Sequence, residues 1–321
     1  MTRSPSPARL VAVLGHEGSG KTTLVRALGG PSTASGVVLL EGRAALPLAD
    51  GVVFVLSSAQ GMDPTLPLRW EEAADAGLPR VLCVTQLDLP RADFDESVAV
   101  LQRVLGEGVH PLALPVLDDD EQVTGVLRLL DLQLLVDGTV RDAEPEHVGL
   151  VEGLHDDLLE ALLSGSSDDA VFDAWLGGEV PATDVLRREL AEGVAGGTLH
   201  PVLPVTASGV GGDALLDLLL ASVPAAGEVL AAPVHDVGGA VVELSPDPDG
   251  PLAARVSGGL VRVLSGTLHD GAAVSVDGVV SALALRDLDG TPLSTCPPGR
   301  VARADALPDG LLSSPDRPLT D

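Results

Sequence analysis

One run of residues concentrates the chemistry of this chain: Gly15, His16, Glu17, Gly18, Ser19, Gly20, Lys21 and Thr22 satisfy the phosphate-loop pattern G-x-x-x-x-G-K-[ST] at every position. Each residue type answers a physical demand. Glycines let backbone N–H groups turn toward phosphate oxygens, and a helix opening at that turn adds positive potential. The ammonium of Lys21 is placed to reach the terminal phosphates and the hydroxyl of Thr22 to ligate Mg²⁺, with Thr23 following in the same turn. Lys21 is also the only lysine, in a chain without Ile, Asn or Tyr where Arg supplies every other strongly basic side chain. A coding drift toward Arg removes Lys wherever Arg serves as well, so this position needs a compact point charge that a planar guanidinium does not supply. The rival reading is a chance glycine turn before a helix.

A second candidate loop is Thr85-Gln86-Leu87-Asp88, at the end of the apolar run Val81 to Thr85. Guanine-binding proteins place Asn-Lys-x-Asp at such a strand end, because a carboxylate accepts from the ring N–H and exocyclic amine of guanine, which adenine does not offer together. Asp88 fits that role, the alternative being a loop cap; Thr85 and Gln86 depart from the pattern, at an expected cost of roughly ten- to a hundredfold in affinity. Thr206-Ala207-Ser208, after a later apolar run, is the matching place for a backbone N–H that meets the guanine carbonyl oxygen.

The elements that must position these loops alternate. Leu10 to Leu14 reads as a strand and Lys21 to Leu28 as a helix; Val37 to Leu40, Val52 to Leu56, Val81 to Thr85 and Val202 to Thr206 read as buried strands. Arg43 to Asp50, Trp70 to Ala76, Phe94 to Leu105 and Asp213 to Ser222 read as helical. Strand alternating with helix predicts an α/β fold with a mainly parallel sheet. The acidic stretch at about 107–197 predicts an inserted helical subdomain. Beyond Pro224, short Val- and Ala-rich runs punctuated by Gly, Pro and Asp predict a small β-barrel. The expected domains are therefore 1–228 for nucleotide and 229–307 for the barrel, with 308–321 a loose tail.

Composition narrows the class. The 321 residues carry a formal charge of −28, which opposes a general nucleic-acid-coating surface. Cys83 and Cys296 form no disulfide framework, the start shows no signal peptide, and glycines and prolines break the longest uncharged stretch, Val194 to Gly212; a cytoplasmic protein without a membrane span is expected. The histidines lack metal-ligand spacing, and Asp118-Asp119-Asp120-Glu121 reads as a solvated loop.

Taken in order, these segments resemble the translation elongation factor G family. The likeness includes Gly15 through Leu24, Arg43-Ala44-Ala45, Ala49-Asp50-Gly51-Val52-Val53-Phe54-Val55, Gly77-Leu78-Pro79-Arg80, Arg91-Ala92-Asp93-Phe94-Asp95, Gly197-Thr198-Leu199-His200-Pro201-Val202-Leu203 and Arg262-Val263-Leu264-Ser265-Gly266-Thr267-Leu268. It runs over most of residues 9–285 and implies a translational GTPase fold with GTP or GDP and Mg²⁺ as ligands and the ribosome as a partner.

The departures carry equal weight. Family members place a long switch segment and an Asp-x-x-Gly-His motif after the first helix, whereas only Gly29 to Gly36 separates Leu28 from Val37, and Val37-Val38-Leu39-Leu40 passes through Glu41-Gly42 directly to Arg43. The metal-linked Asp, the glycine that senses the γ-phosphate and the water-orienting His are missing, with Glu41 a candidate stand-in for the first. The sequence also stops where the family's barrel ends, so a truncated, degenerate relative is expected, binding guanine nucleotide with weak or lost hydrolysis. A pseudo-GTPase interaction module, in which nucleotide is dispensable, is the alternative.

Overall fold

The protein is described by a computed structural model covering residues 8–30, 36–136, 138–166, 168–225 and 234–320. The chain opens with β1 (Arg9–Leu14), α1 (Lys21–Ala27), β2 (Val37–Glu41), a 3-10 turn (Arg43–Leu48) and β3 (Gly51–Ser57). Next come α2 (Leu66–Asp75), β4 (Arg80–Thr85), α3 (Phe94–Leu105) and β5 (Val109–Pro111). A four-strand run β6 (Ala113–Leu117), β7 (Val123–Arg128), β8 (Gln133–Val136) and β9 (Thr139–Asp142) leads into α4 (Pro145–Ser164), α5 (Asp169–Leu176) and α6 (Thr183–Ala195). β10 (His200–Pro204) and α7 (Gly212–Ser222) complete this part of the chain. Neighbouring strands of one sheet follow the order β3-β4-β10-β5.

The chain divides into two compact units, one of residues 13–30 and 51–223, the other of residues 1–12, 31–50 and 224–321. In the first unit β3, β4, β10 and β5 run parallel, with Val55 opposite Cys83, Leu203 opposite Cys83, and Val202 opposite Pro111. Every residue of β3, β4 and β10 is buried, as the unbroken apolar runs require when both faces of a sheet are covered. α3 starts where the Asp93 side chain accepts from Glu96 N–H at 2.8 Å, an N-cap written into the sequence as Asp-x-x-Glu. Trp70 on α2 stacks against Phe54 at 5.2 Å and meets the His200 ring edge-on at 4.6 Å, while the Arg80 guanidinium lies 4.5 Å over the same indole.

The insertion holds the expected helices, α4 to α6, and adds strands ahead of them. β6 to β9 form an antiparallel sheet before the helices begin. Its strands are short, β9 is exposed throughout, and β6 and β7 carry no clean alternation, so the acidic helices dominate the pattern. The acidic run is the hairpin loop: Asp118 Oδ1 accepts from Asp120 N–H at 3.0 Å and Gln122 N–H at 2.9 Å.

The second unit holds β11 (Val234–Asp236), β12 (Val241–Val242), β13 (Ala253–Ser257), β14 (Leu260–Ser265), β15 (Leu268–His269), β16 (Ala273–Val276), β17 (Val279–Ala282), β18 (Thr295–Cys296), β19 (Val301–Arg303), β20 (Gly310–Ser313) and β21 (Leu319–Thr320). Of three antiparallel sheets, β17-β16-β20-β13-β14-β19 and β15-β18 enclose a core of apolar side chains such as Val256, Val263, Val274 and Leu312, while β12-β11-β21 packs on a separate cluster of Val234, Ala253, Leu311 and Leu319. The expected loose tail needs correction: β20 sits between β13 and β16, pairing Ala254 with Leu312 and Ser275 with Ser313. Only Leu311 and Leu312 signal that strand among Pro, Asp and Ser, too short a run to register as a period. Residues 229–233 of the expected barrel lie outside the described residues.

Within this same unit the Arg262 guanidinium of β14 reaches both Asp50 carboxylate oxygens at 2.7 Å, and Leu10 N–H donates to Asp50 Oδ2 at 2.8 Å. Arg262 also donates to the Leu48 carbonyl. The side chains of both partners are almost wholly buried, so the charges are balanced by each other and by backbone groups rather than by water.

Candidate functional site

β1 delivers Leu14 to the loop and Gly20 opens α1 in left-handed conformation, φ 87°. Two glycines are fixed by space. A Cβ on Gly15 would stand 2.5 Å from Val55 O, and one on Gly20 3.1 Å from the Thr85 hydroxyl. The Lys21 ammonium arches back over the loop, donating to Gly15 O at 2.8 Å and His16 O at 2.5 Å, and Ser19 N–H closes a turn on His16 O at 3.2 Å. The hydroxyl of Ser19 is buried without a hydrogen-bond partner beneath this turn. Glu17 and the hydroxyl-bearing Thr22 and Thr23 face solvent.

The second loop is joined to the first. Thr85 Oγ1 donates to Ser19 O at 2.6 Å, and Gln86 Nε2 donates to Gly18 O at 2.8 Å. Gln86 Oε1 accepts from the fully buried Ser57 hydroxyl, which in turn accepts from Gln60 N–H at 3.0 Å. Gln86 makes this reach from a left-handed backbone, φ 58°, at some cost in strain. The residues that depart from the expected Asn-Lys pattern thus hold the glycine loop with a hydroxyl and an amide. Ser57 is not distinguished by the sequence, since a lone serine at a strand end has no spacing signal.

A cavity of about 200 Å³ lies where the three loops converge, lined by Gly20, Thr23, Thr85, Gln86, Asp88 and Ala207 together with apolar walls at Leu24 and Val205. The third loop closes on itself: Thr206 N–H donates to Val210 O at 3.0 Å, Gly209 N–H to Thr206 O at 3.1 Å and Val210 N–H to Thr206 Oγ1 at 3.0 Å. Those bonds leave the Ala207 and Ser208 amides out of the loop's internal pairing, while the Ser208 hydroxyl is engaged with Thr206 Oγ1 at 2.8 Å. The slot thus has apolar walls with a carboxylate, an amide-bearing loop and the last glycine of the phosphate loop at its edges.

Fit to a cation is thinner. Thr22, the expected Mg²⁺ ligand, is exposed in the first turn of α1, and among the described residues no group of three His, Cys, Asp or Glu side chains is arranged to hold a metal. Glu41 ends β2 and is exposed.

A phosphate-loop turn leaving a mainly parallel sheet, with antiparallel half-barrel sheets later in the chain, is the α/β architecture that the sequence predicts. The chain is 34% identical over 260 residues to the elongation factor G-like proteins of two Mycobacterium tuberculosis strains, CDC 1551 / Oshkosh and H37Rv, the match taking in 75% of this chain and 35% of each relative. A crystal structure from Thermus thermophilus superposes with a TM-score of 0.71 over 98% of this chain and 55% of that one, at 23% identity. No family model matches. The chain is a homologue of elongation factor G-like proteins over three quarters of its own length and spans about a third of the length of the curated relatives it matches.

Proposed function

We propose that this chain binds GDP and GTP in the cavity between its phosphate loop and Asp88, and that it hydrolyses GTP at or near the background rate. The observation that carries the first half is the convergence of Gly20 and Thr23 with Asp88 and Ala207 around one slot. There Lys21 and the loop amides take the phosphates, Asp88 reads the base edge, and the Ala207 amide meets the guanine carbonyl oxygen. Thr22 holds Mg²⁺, which neutralises charge on the bound phosphates.

The second half rests on the segment after β2. Glu41 and Gly42 lead directly into the Arg43–Leu48 turn, and no Asp-x-x-Gly-His sequence stands there to order a water in line with the γ-phosphate. Among the described residues no helix is long and apolar enough to cross a membrane, and we place the chain's work in the cytoplasm, with the ribosome as the partner its family implies.

Titration with fluorescent GDP, GTP and ADP, with and without Mg²⁺, tests this reading. Micromolar guanine binding that disappears in Lys21→Ala and loses its preference over adenine in Asp88→Ala is expected. Equal affinity for ADP and GDP in the unaltered protein refutes the guanine assignment.

A further inference from the structure

A second hollow in the nucleotide-loop unit is larger than the nucleotide slot. A cleft of about 350 Å³ opens between α6, α7 and the β6–β7 hairpin, and it shares no lining residue with the cavity at Asp88. Its walls are the buried side chains of Leu112, Leu190, Leu203 and Leu218, and it stays open because α6 and α7 present Ala191, Ala214 and Ala221 to it. Size and an apolar lining with few polar groups are the marks of a small-molecule site.

The polar end specifies the ligand's charge. Asp131, nearly buried, accepts from Arg128 through both oxygens at 3.0 and 2.7 Å and from Arg187 Nη2 at 3.1 Å. The remaining bond of Arg128 goes to the neutral Gln133 amide. Two guanidiniums thus share the one nearly buried carboxylate of the lining, at the edge of an apolar hollow. Arg187 is the more exposed of the two, at 59%, and its planar fork is anchored by one nitrogen only in this cluster. Asp217, exposed on the α7 rim, faces water, where its repulsion is screened.

We propose that this cleft is a binding site for a small apolar carboxylate, its hydrocarbon part among the leucines and alanines and its carboxylate on Arg187. The site requires both parts: the hollow alone selects apolar molecules without regard to charge, and the arginine pair alone binds any anion at the surface.

Isothermal titration of the full chain with butanoate, hexanoate and octanoate tests it, with octylamine and octanol as charge controls. Affinity is expected to rise about fourfold per added methylene until the hollow is filled, with octanoate at least about tenfold tighter than octylamine or octanol. Arg187→Gln, at an exposed position, should weaken octanoate about tenfold while leaving the melting temperature and GDP titration unchanged. Ala214→Leu should abolish it by filling the cleft. No saturable octanoate binding, equal binding of octanoate and octylamine, or indifference to Arg187→Gln overturns the proposal, and since GDP is titrated separately each of these is distinguishable from failure of the nucleotide site.

Discussion

Gln86 donates its side-chain amide to the carbonyl oxygen of Gly18 at 2.8 Å, tying the loop that carries Asp88 to the loop that carries Lys21. Thr85 makes the parallel bond one residue on, to Ser19 O at 2.6 Å. Both bonds pre-shape the glycine loop, so their loss should appear in nucleotide affinity more than in stability. Gln86→Met keeps the stem and removes the amide, with its bonds to Gly18 O and to the Ser57 hydroxyl; at about 1 kcal/mol for the bond between the loops it should weaken GDP about fivefold, and the double variant with Thr85→Val about thirtyfold. Gln86→Gly relieves the left-handed backbone yet should weaken GDP as much as Gln86→Met does. Dissociation of fluorescent GDP by stopped flow measures this. If the glycine variant binds as tightly as the unaltered protein, backbone strain rather than the amide governs the site.

How much of this is legible in the sequence depends on the physics of each element. β3, β4 and β10 are buried on both faces and read as unbroken apolar runs, so the parallel sheet is visible from residue type alone. The phosphate loop is legible because its constraints are local: Gly15 and Gly20 stand where a Cβ would strike Val55 or Thr85. The latch is not, since Thr85 and Gln86 act through partners more than sixty residues away, and against the Asn-Lys pattern they read only as losses. β20 stays hidden because it survives on its neighbours β13 and β16 rather than on its own pattern.

GDP and GTP should bind nearly equally, within about threefold, because a switch needs a segment that contacts the γ-phosphate in one state only. Only Gly29 to Gly36 separates the first helix region from β2, too little chain for such a segment. Competition titrations give the ratio. Phosphate release from GTP with purified ribosomes, compared with Lys21→Ala, gives the turnover. A ratio above tenfold, or multiple turnovers that vanish in the Lys21 variant, would show that another segment has taken over sensing or catalysis.

Asp50 and Arg262 form the costliest pair to break. Burial pushes the Asp50 carboxyl above its ordinary value, with the Arg262 guanidinium and the Leu10 N–H offsetting part of that shift. Arg262→Met leaves a buried carboxylate without its cation and should destabilise the protein by about 3–5 kcal/mol, whereas Asp50→Leu with Arg262→Met removes both charges and should recover part of the loss. Urea unfolding of the three variants measures this. A double variant less stable than Arg262→Met would mean that the pair contributes net stability rather than mutual compensation.

His200 should make stability pH-dependent in one direction. Its imidazole is 6% exposed, its Nδ1 has no hydrogen-bond partner, and burial, reinforced by the neighbouring Arg80 charge, holds its pKa at about 4 against an ordinary 6.5. Between those values the unfolded chain binds a proton that the native protein refuses. The His200 contribution is therefore fully present above about pH 6.5, falls as pH is lowered, and is gone by about pH 4, a change of at most about 3 kcal/mol. Carboxylates titrate in the lower half of the same window, so the total acid response is not His200's alone. His200→Gln separates them: the variant has no group to titrate there, and its stability relative to the unaltered protein should improve steadily as pH falls from 6.5 to 4. The packing cost of the substitution against Trp70 shifts that difference by a constant without changing its slope. Urea unfolding at intervals of half a pH unit gives the slope, and two parallel stability curves would show that His200 protonates within the fold as readily as outside it.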